Sequence, residues 1–156
     1  MAEGHKIGAD LMVEKAGESD YRRDCLVYPI IFNYRHYLEL SLKTLIALYG
    51  PIVGVLENWK THDLVVLWKT FKQVLAGYGD EDTDGTDPVV EIILAEFAKI
   101  DPRSYAWRYP VDTSGRAIPV ALLELDLTVL KDVMKAMDGY FTGSDGYLDH
   151  LRSAGP

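Results

Sequence analysis

The stretch Phe32–Tyr49, FNYRHYLELSLKTLIALY, decides the fold. At 100° per residue, Ile30, Ile31, Tyr34, Tyr37, Leu38, Leu45, Leu48 and Tyr49 fall on one broad side, while Arg35, His36, Glu39 and Lys43 form a narrow stripe on the other. Phe32, Leu42 and Ile46 lie in the same sector as the charges. The sequence therefore predicts a helix that is apolar almost all round and carries a short polar inlay. Such a helix belongs in the middle of a bundle.

Charges set into apolar surface need partners, because an unpaired buried charge is costly or loses its ionisation. Arg35 with Glu39, and Glu39 with Lys43, satisfy one another at the i,i+4 spacing. Two readings of the stripe follow. It is either an internal ion network or the lining of a cleft or subunit contact, where Arg35 and His36 meet a ligand or a second chain.

N-terminal to this stretch, apolar density rises from Tyr21 to Pro29. Proline is tolerated in a first turn but costs about 3 kcal/mol inside a helix. The long helix thus starts at Tyr28, or an earlier segment from Tyr21 joins it through a kink. Met1 to Asp20 is polar and glycine-containing, and is predicted to drape with one frayed turn around Leu11 to Lys15.

C-terminal to it, Gly50-Pro51 stops the helix and Ile52 to Lys60 connects. Thr61 as N-cap and Asp63 in the first turn open a second helix, with Leu64, Leu67, Trp68, Phe71 and Leu75 on one face, ending near Ala76. Asp87-Pro88 opens a third helix, to about Ile100, with an apolar edge of Val89, Ile92, Ile93, Glu96 and Phe97. From Arg103 to Pro119 the period changes: Tyr105, Trp107, Tyr109 and Val111 alternate with other residues ahead of a turn, which predicts a small β-hairpin or extended flap. The last helix runs from Leu122 or Asp126 to Phe141, with Leu127, Leu130, Val133, Met134 and Met137 on one side. Gly143 to Gly146 is predicted to break it before a final turn over Tyr147 to Arg152. The expected fold is an all-α antiparallel bundle of four or five helices with a flap near residues 103–119, in a single domain over residues 1–156.

A chain of 156 residues with 48% hydrophobic and 26% charged residues suits one soluble domain. No apolar run approaches the ~20 residues of a membrane span, and the start MAEGHKIGAD lacks the pattern of a secretion signal, so a cytoplasmic location is expected. The single Cys25 excludes an intramolecular disulfide. A net charge of −8 and a pI near 4.9 argue against broad adhesion to nucleic acid, although Arg103, Arg108 and Arg116 lie close together in sequence. Phosphate-cradling glycine loops, zinc spacings and nucleophile elbows are missing from the sequence. Trp59, Trp68 and Trp107 read as core or interface residues rather than a base-stacking platform.

Arg35-His36-Tyr37-Leu38-Glu39-Leu40-Ser41-Leu42-Lys43-Thr44-Leu45, a glycine-bearing connection, and then Thr61-His62-Asp63-Leu64 with Leu67 together resemble the core of HEPN-like domains. The resemblance implies an all-α bundle that pairs into dimers. Many members of that family are RNA-cleaving toxins or defence proteins, and others are non-catalytic partners of nucleotidyltransferases. The nuclease members carry an arginine followed, after about four to six residues, by a histidine. No arginine stands at that distance before His36, His62 or His150, and His5 is too near the start. The function expected is therefore a non-enzymatic binding or regulatory module in a toxin–antitoxin or defence setting, acting as a homodimer or with another protein. Arg35, His36, Glu39, Lys43, His62 and Asp63 would line its cleft or subunit contact.

The alternative is a divergent, metal-independent ribonuclease in which His36 or His62 is the general base and Arg35 or Arg108 stabilises the developing phosphorane charge. Association with RNA or a nucleotide is a part of that reading which the overall charge does not support. At a helix start the dipole disfavours a protonated His62, and an antiparallel neighbour would bring the ring toward the Lys43 to Tyr49 end of the long helix. Alternatively, His62 and Asp63 simply cap the helix and tie down the loop.

Residues Asp80 to Glu91 also satisfy the pattern of a calcium loop, with Asp80, Asp82 and Asp84 at the first, third and fifth places, Gly85 at the sixth, Thr86 at the seventh and Glu91 at the twelfth. Calcium is the only cofactor the sequence suggests. Against it stand Asp87 at the usually apolar eighth place, the Gly77-Tyr78-Gly79 spacer and the lack of a second loop. An acidic surface loop leading into a helix cap explains the same letters.

Overall fold

The computed structural model describes residues 1–80, 82–100 and 125–154, which form an all-α bundle as predicted. Its elements are α1 (Ala2–Ala16), α2 (Asp20–Tyr49), a 3-10 turn (Gly50–Val53), α3 (Leu64–Gly77), α4 (Asp87–Ile100) and α5 (Leu127–Ala154). The hairpin or flap predicted near residues 103–119 lies outside the described residues.

α2 is the central rod, with Ile30, Tyr34, Leu38 and Leu42 fully buried. Of the two predicted starts the earlier one holds, since Ser19 caps the helix by accepting from the Arg22 amide and the helix continues through Pro29. The Pro29 carbonyl takes an extra bond from the Asn33 side chain at 2.7 Å.

The predicted drape over Met1 to Asp20 is corrected to a full helix. Lys6, Ala9, Val13 and Ala16 recur every three or four residues and form its buried stripe. Two alanines in that stripe let α1 approach α2 closely. Lys6 pairs with Asp10 at 3.0 Å, and Asp10 accepts from the Tyr34 hydroxyl at 2.6 Å. A stripe built of alanine and a paired lysine has little apolar signal in the sequence.

Cross-ties set the helix directions. The Tyr37 hydroxyl donates to Asp138 and the Tyr49 hydroxyl to Asp145, so α5 runs in the same sense as α2. α3 does as well, because His62 at its start meets Glu39 while Tyr78 at its end donates to the Tyr49 carbonyl. α1 and α4 run the opposite way: Glu14 pairs with Lys131, Asp87 accepts from Tyr140, and the far end of α4 lines one cleft with Leu125 and Leu130. The antiparallel expectation is thus corrected for the α2–α3 pair. From Tyr49 back to Glu39 is about 15 Å of helix. The residues from the 3-10 turn to Asp63 reach far more than that when extended, and they double back along α2 before α3 begins.

Two further corrections concern α4 and α5. The buried edge of α4 is Val90, Leu94 and Phe97, while Val89 and Ile92 are exposed. Phe97 is buried and Ile93 half-buried as predicted, so the edge is corrected in its first turns, where Val90 and Leu94 face the core in place of Val89 and Ile92. α5, capped by Asp126 on the amides of Thr128 and Val129, runs unbroken through Gly143 and Gly146. Packing outweighs the glycines there, because Phe141 and Leu148 are buried and Asp145 is held by Tyr49.

Candidate functional site

Successive turns of α2 place Arg35, Glu39 and Lys43 on one side, and the connection returning toward α3 closes over them. Glu39 is the hub. Its Oε2 accepts from Arg35 Nη1 at 3.2 Å, and its Oε1 accepts from Lys43 Nζ at 2.9 Å and stands 2.8 Å from His62 Nδ1. Both cations also reach the covering backbone: Arg35 Nη2 donates to the His62 carbonyl at 2.7 Å, and Lys43 Nζ to the Trp59 carbonyl at 3.3 Å. The i,i+4 pairing expected from the sequence is present, and the connection is bound into it.

Arg35 and Glu39 are 1% exposed and Lys43 is nearly as deep. Burial by itself would raise the Glu39 carboxyl, but the hydrogen bonds and charges of Lys43 and His62 outweigh it and hold the group below its ordinary carboxylate value. The network carries two permanent cations against one carboxylate. An ionised Glu39 only accepts, so His62 Nδ1 is the donor, and in the neutral ring the lone pair then belongs to Nε2 on the opposite edge. The His62 side chain is 46% exposed, so one face of this buried network reaches solvent through an imidazole.

Not every residue of the predicted set belongs to the network. His36 packs edge-on to His5 at 4.5 Å between ring centroids and stacks on Phe32 at 5.7 Å, on the α1 side of α2. Asp63, rather than the predicted Thr61, is the N-cap of α3, accepting from the amides of Val65 and Val66. Thr61 Oγ1 accepts from the Asp63 amide and shapes the approach. An aspartate at that position matches the first free amides better than a residue two places earlier. His62 meets Glu39, one turn short of the Lys43 to Tyr49 end where an antiparallel neighbour would have brought it. Arg108 and Trp107 lie outside the described residues; Trp68 is buried and Trp59 exposed.

In the acidic loop Asp82 accepts from the amides of Thr86 and Asp87, and Asp84 accepts from Thr86. Gly85 takes the positive φ of 70° that the turn requires. Partial burial and the neighbouring Asp87, Asp82 and Asp84 push the Asp80 carboxyl up. Glu91 lies on α4 and binds Lys72 and the Trp68 indole of α3, while Asp87 takes the Tyr140 hydroxyl. Among the described residues no three His, Cys, Asp or Glu side chains are grouped to hold a metal ion.

Sequence reasoning missed the carbonyl contacts of Trp59 and His62, which no side-chain pattern encodes. It also missed the tyrosine–aspartate ties between helices, whose partners are separated by 24 to 101 residues. The chain matches no protein-family model, no curated protein and no solved structure.

Proposed function

We propose that this protein is a non-enzymatic binding or regulatory module of the HEPN-like kind that its sequence resembles, and that it acts as a homodimer through the connection between α2 and α3. One observation carries the reading: Leu56 and Trp59 are 74% and 56% exposed on a connection whose backbone is anchored from beneath by Lys43 and, at His62, by Arg35. Large apolar side chains on an anchored backbone suit an interface, since tryptophan is a frequent anchor and little ordering is lost on association. Pairing of the same surface across a two-fold axis would set Trp59 and Leu56 against their own copies. The buried ion network is then the support of this surface. The setting is toxin–antitoxin or defence, as the resemblance implies.

Light scattering during size-exclusion chromatography tests the reading. The native protein is expected near twice 17.5 kDa with a protein-like ultraviolet spectrum. The Leu56→Ala, Trp59→Ala double variant is expected at the monomer mass with unchanged helical circular dichroism. A monomeric native protein would overturn the homodimer. A nucleic-acid component in the spectrum that falls away with salt would favour the ribonuclease reading instead.

A further inference from the structure

Imidazole chemistry depends on which nitrogen is free. His62 is held by a buried carboxylate at Nδ1, so in the neutral ring the nucleophilic lone pair belongs to Nε2, and the side chain is about half exposed. Beneath the ring, Arg35 and Lys43 outnumber Glu39 in charge. Arg35 is fixed to the carbonyl of His62 itself, exposed Lys60 stands two residues earlier, and Asp63, whose carboxylate caps α3, follows directly. The surplus positive charge of the buried network therefore offsets the neighbouring Asp63 carboxylate toward an arriving anion, in a chain that carries −8 overall. His62 is not in the walls of the clefts beside α1, beside α4 and between α1 and α5. Among the described residues the half-exposed ring of His62 is open to a group delivered from outside.

We propose that His62 is a phosphoryl-acceptor residue, taking an activated phosphoryl group onto Nε2 with Glu39 as its positioning residue. With phosphoramidate as donor, the Nε2 lone pair forms the new N–P bond as the N–P bond of the donor breaks. Ammonia leaves with the bonding pair and the protons it already holds. The Nδ1 proton stays in place, so the ring becomes a phosphoimidazolium whose positive charge lies against the Glu39 carboxylate. The carboxylate thus stabilises charge that appears only as the bond forms. The proposal goes beyond the binding reading and does not depend on it, although a phosphoryl group three residues from Trp59 would alter any contact made there.

The test is incubation of the native protein with potassium phosphoramidate, read by intact mass, phosphorus NMR and peptide mapping. The expected result is one acid-labile phosphoryl group on His62 Nε2, formed at least about tenfold faster than any on His150, which is exposed on α5 and serves as the internal control. His62→Gln is expected to abolish it. Glu39→Gln, in protein that retains its helical circular dichroism, is expected to slow labelling and to allow Nδ1 product, a change of isomer that a merely structural carboxylate would not produce. Should that variant fail to fold, the ratio of His62 to His150 labelling in the native protein decides. Equal labelling of the two, no adduct on His62, or an unchanged rate and isomer in Glu39→Gln would overturn the proposal and leave Glu39 as an anchor of the connection.

Discussion

Glu39 shows how far burial changes the worth of an ordinary spacing. On an exposed helix, i,i+4 pairs like Arg35–Glu39 and Glu39–Lys43 contribute roughly 0.3–0.5 kcal/mol each. Here all three side chains are buried, and removal of the carboxylate leaves two cations out of water. Glu39→Ala is expected to cost about 3–5 kcal/mol in urea unfolding. The same residue sets an acid dependence. Its folded carboxyl lies below its ordinary value of 4.5, so its contribution is present above that pH and is lost as pH falls through the folded value. Urea midpoints between roughly pH 3 and 6 are expected to fall with acid in the native protein and to fall less steeply in Glu39→Gln. A parallel fall in both would show that other carboxylates govern acid unfolding. The pairing was legible in the sequence because it is local. The third partner, His62, was named as a candidate, but its contact depended on a connection whose path the sequence does not encode.

At the scale of the elements, glycines separate local from tertiary control. Gly143 lies within α5 with nothing within 4 Å of an added Cβ, so Gly143→Ala is expected to stabilise the protein by up to about 1 kcal/mol, the ordinary helix preference. Gly77 ends α3 against the 3-10 turn, and an added Cβ would stand 2.6 Å from Val53 Cβ. Overpacking of that kind costs about 1–3 kcal/mol, more than the helix gain, so Gly77→Ala is expected to destabilise. Thermal melts of the two variants check both, and shifts of the same sign would refute the contrast. Elements with a strong apolar face, α2 and α3, were readable from periodicity. α1 was not, because its buried stripe is alanine and lysine, and the length of α5 was not, because tertiary contacts carry it across its glycines.

At the scale of the whole molecule, four tyrosine–aspartate bonds hold helix to helix among the described residues: Tyr34 to Asp10, Tyr37 to Asp138, Tyr49 to Asp145 and Tyr140 to Asp87. Burial first, and then the adjacent carboxylate, raises each phenol well above its ordinary value of 10. A raised folded value means stability that is present below the unfolded pKa and lost as pH rises beyond it. Spectrophotometric titration is expected to show these four ionising only as helical structure is lost. Ionisation of all tyrosines near pH 10 with the helices intact would contradict the ties.

The sequence by itself determined the all-α class, the buried central helix, the ion pairs along it and the faces of α3. Each of these follows from residues a turn or two apart, where periodicity and capping act. Only the tertiary structure decided that α3 runs with α2, that α1 is a packed helix, and that Trp59, His62 and Glu39 meet. Those contacts join residues distant in the chain, so no local spacing records them. They arise because the connection after Tyr49 has the length to turn back and the buried cations of α2 require its carbonyls as partners.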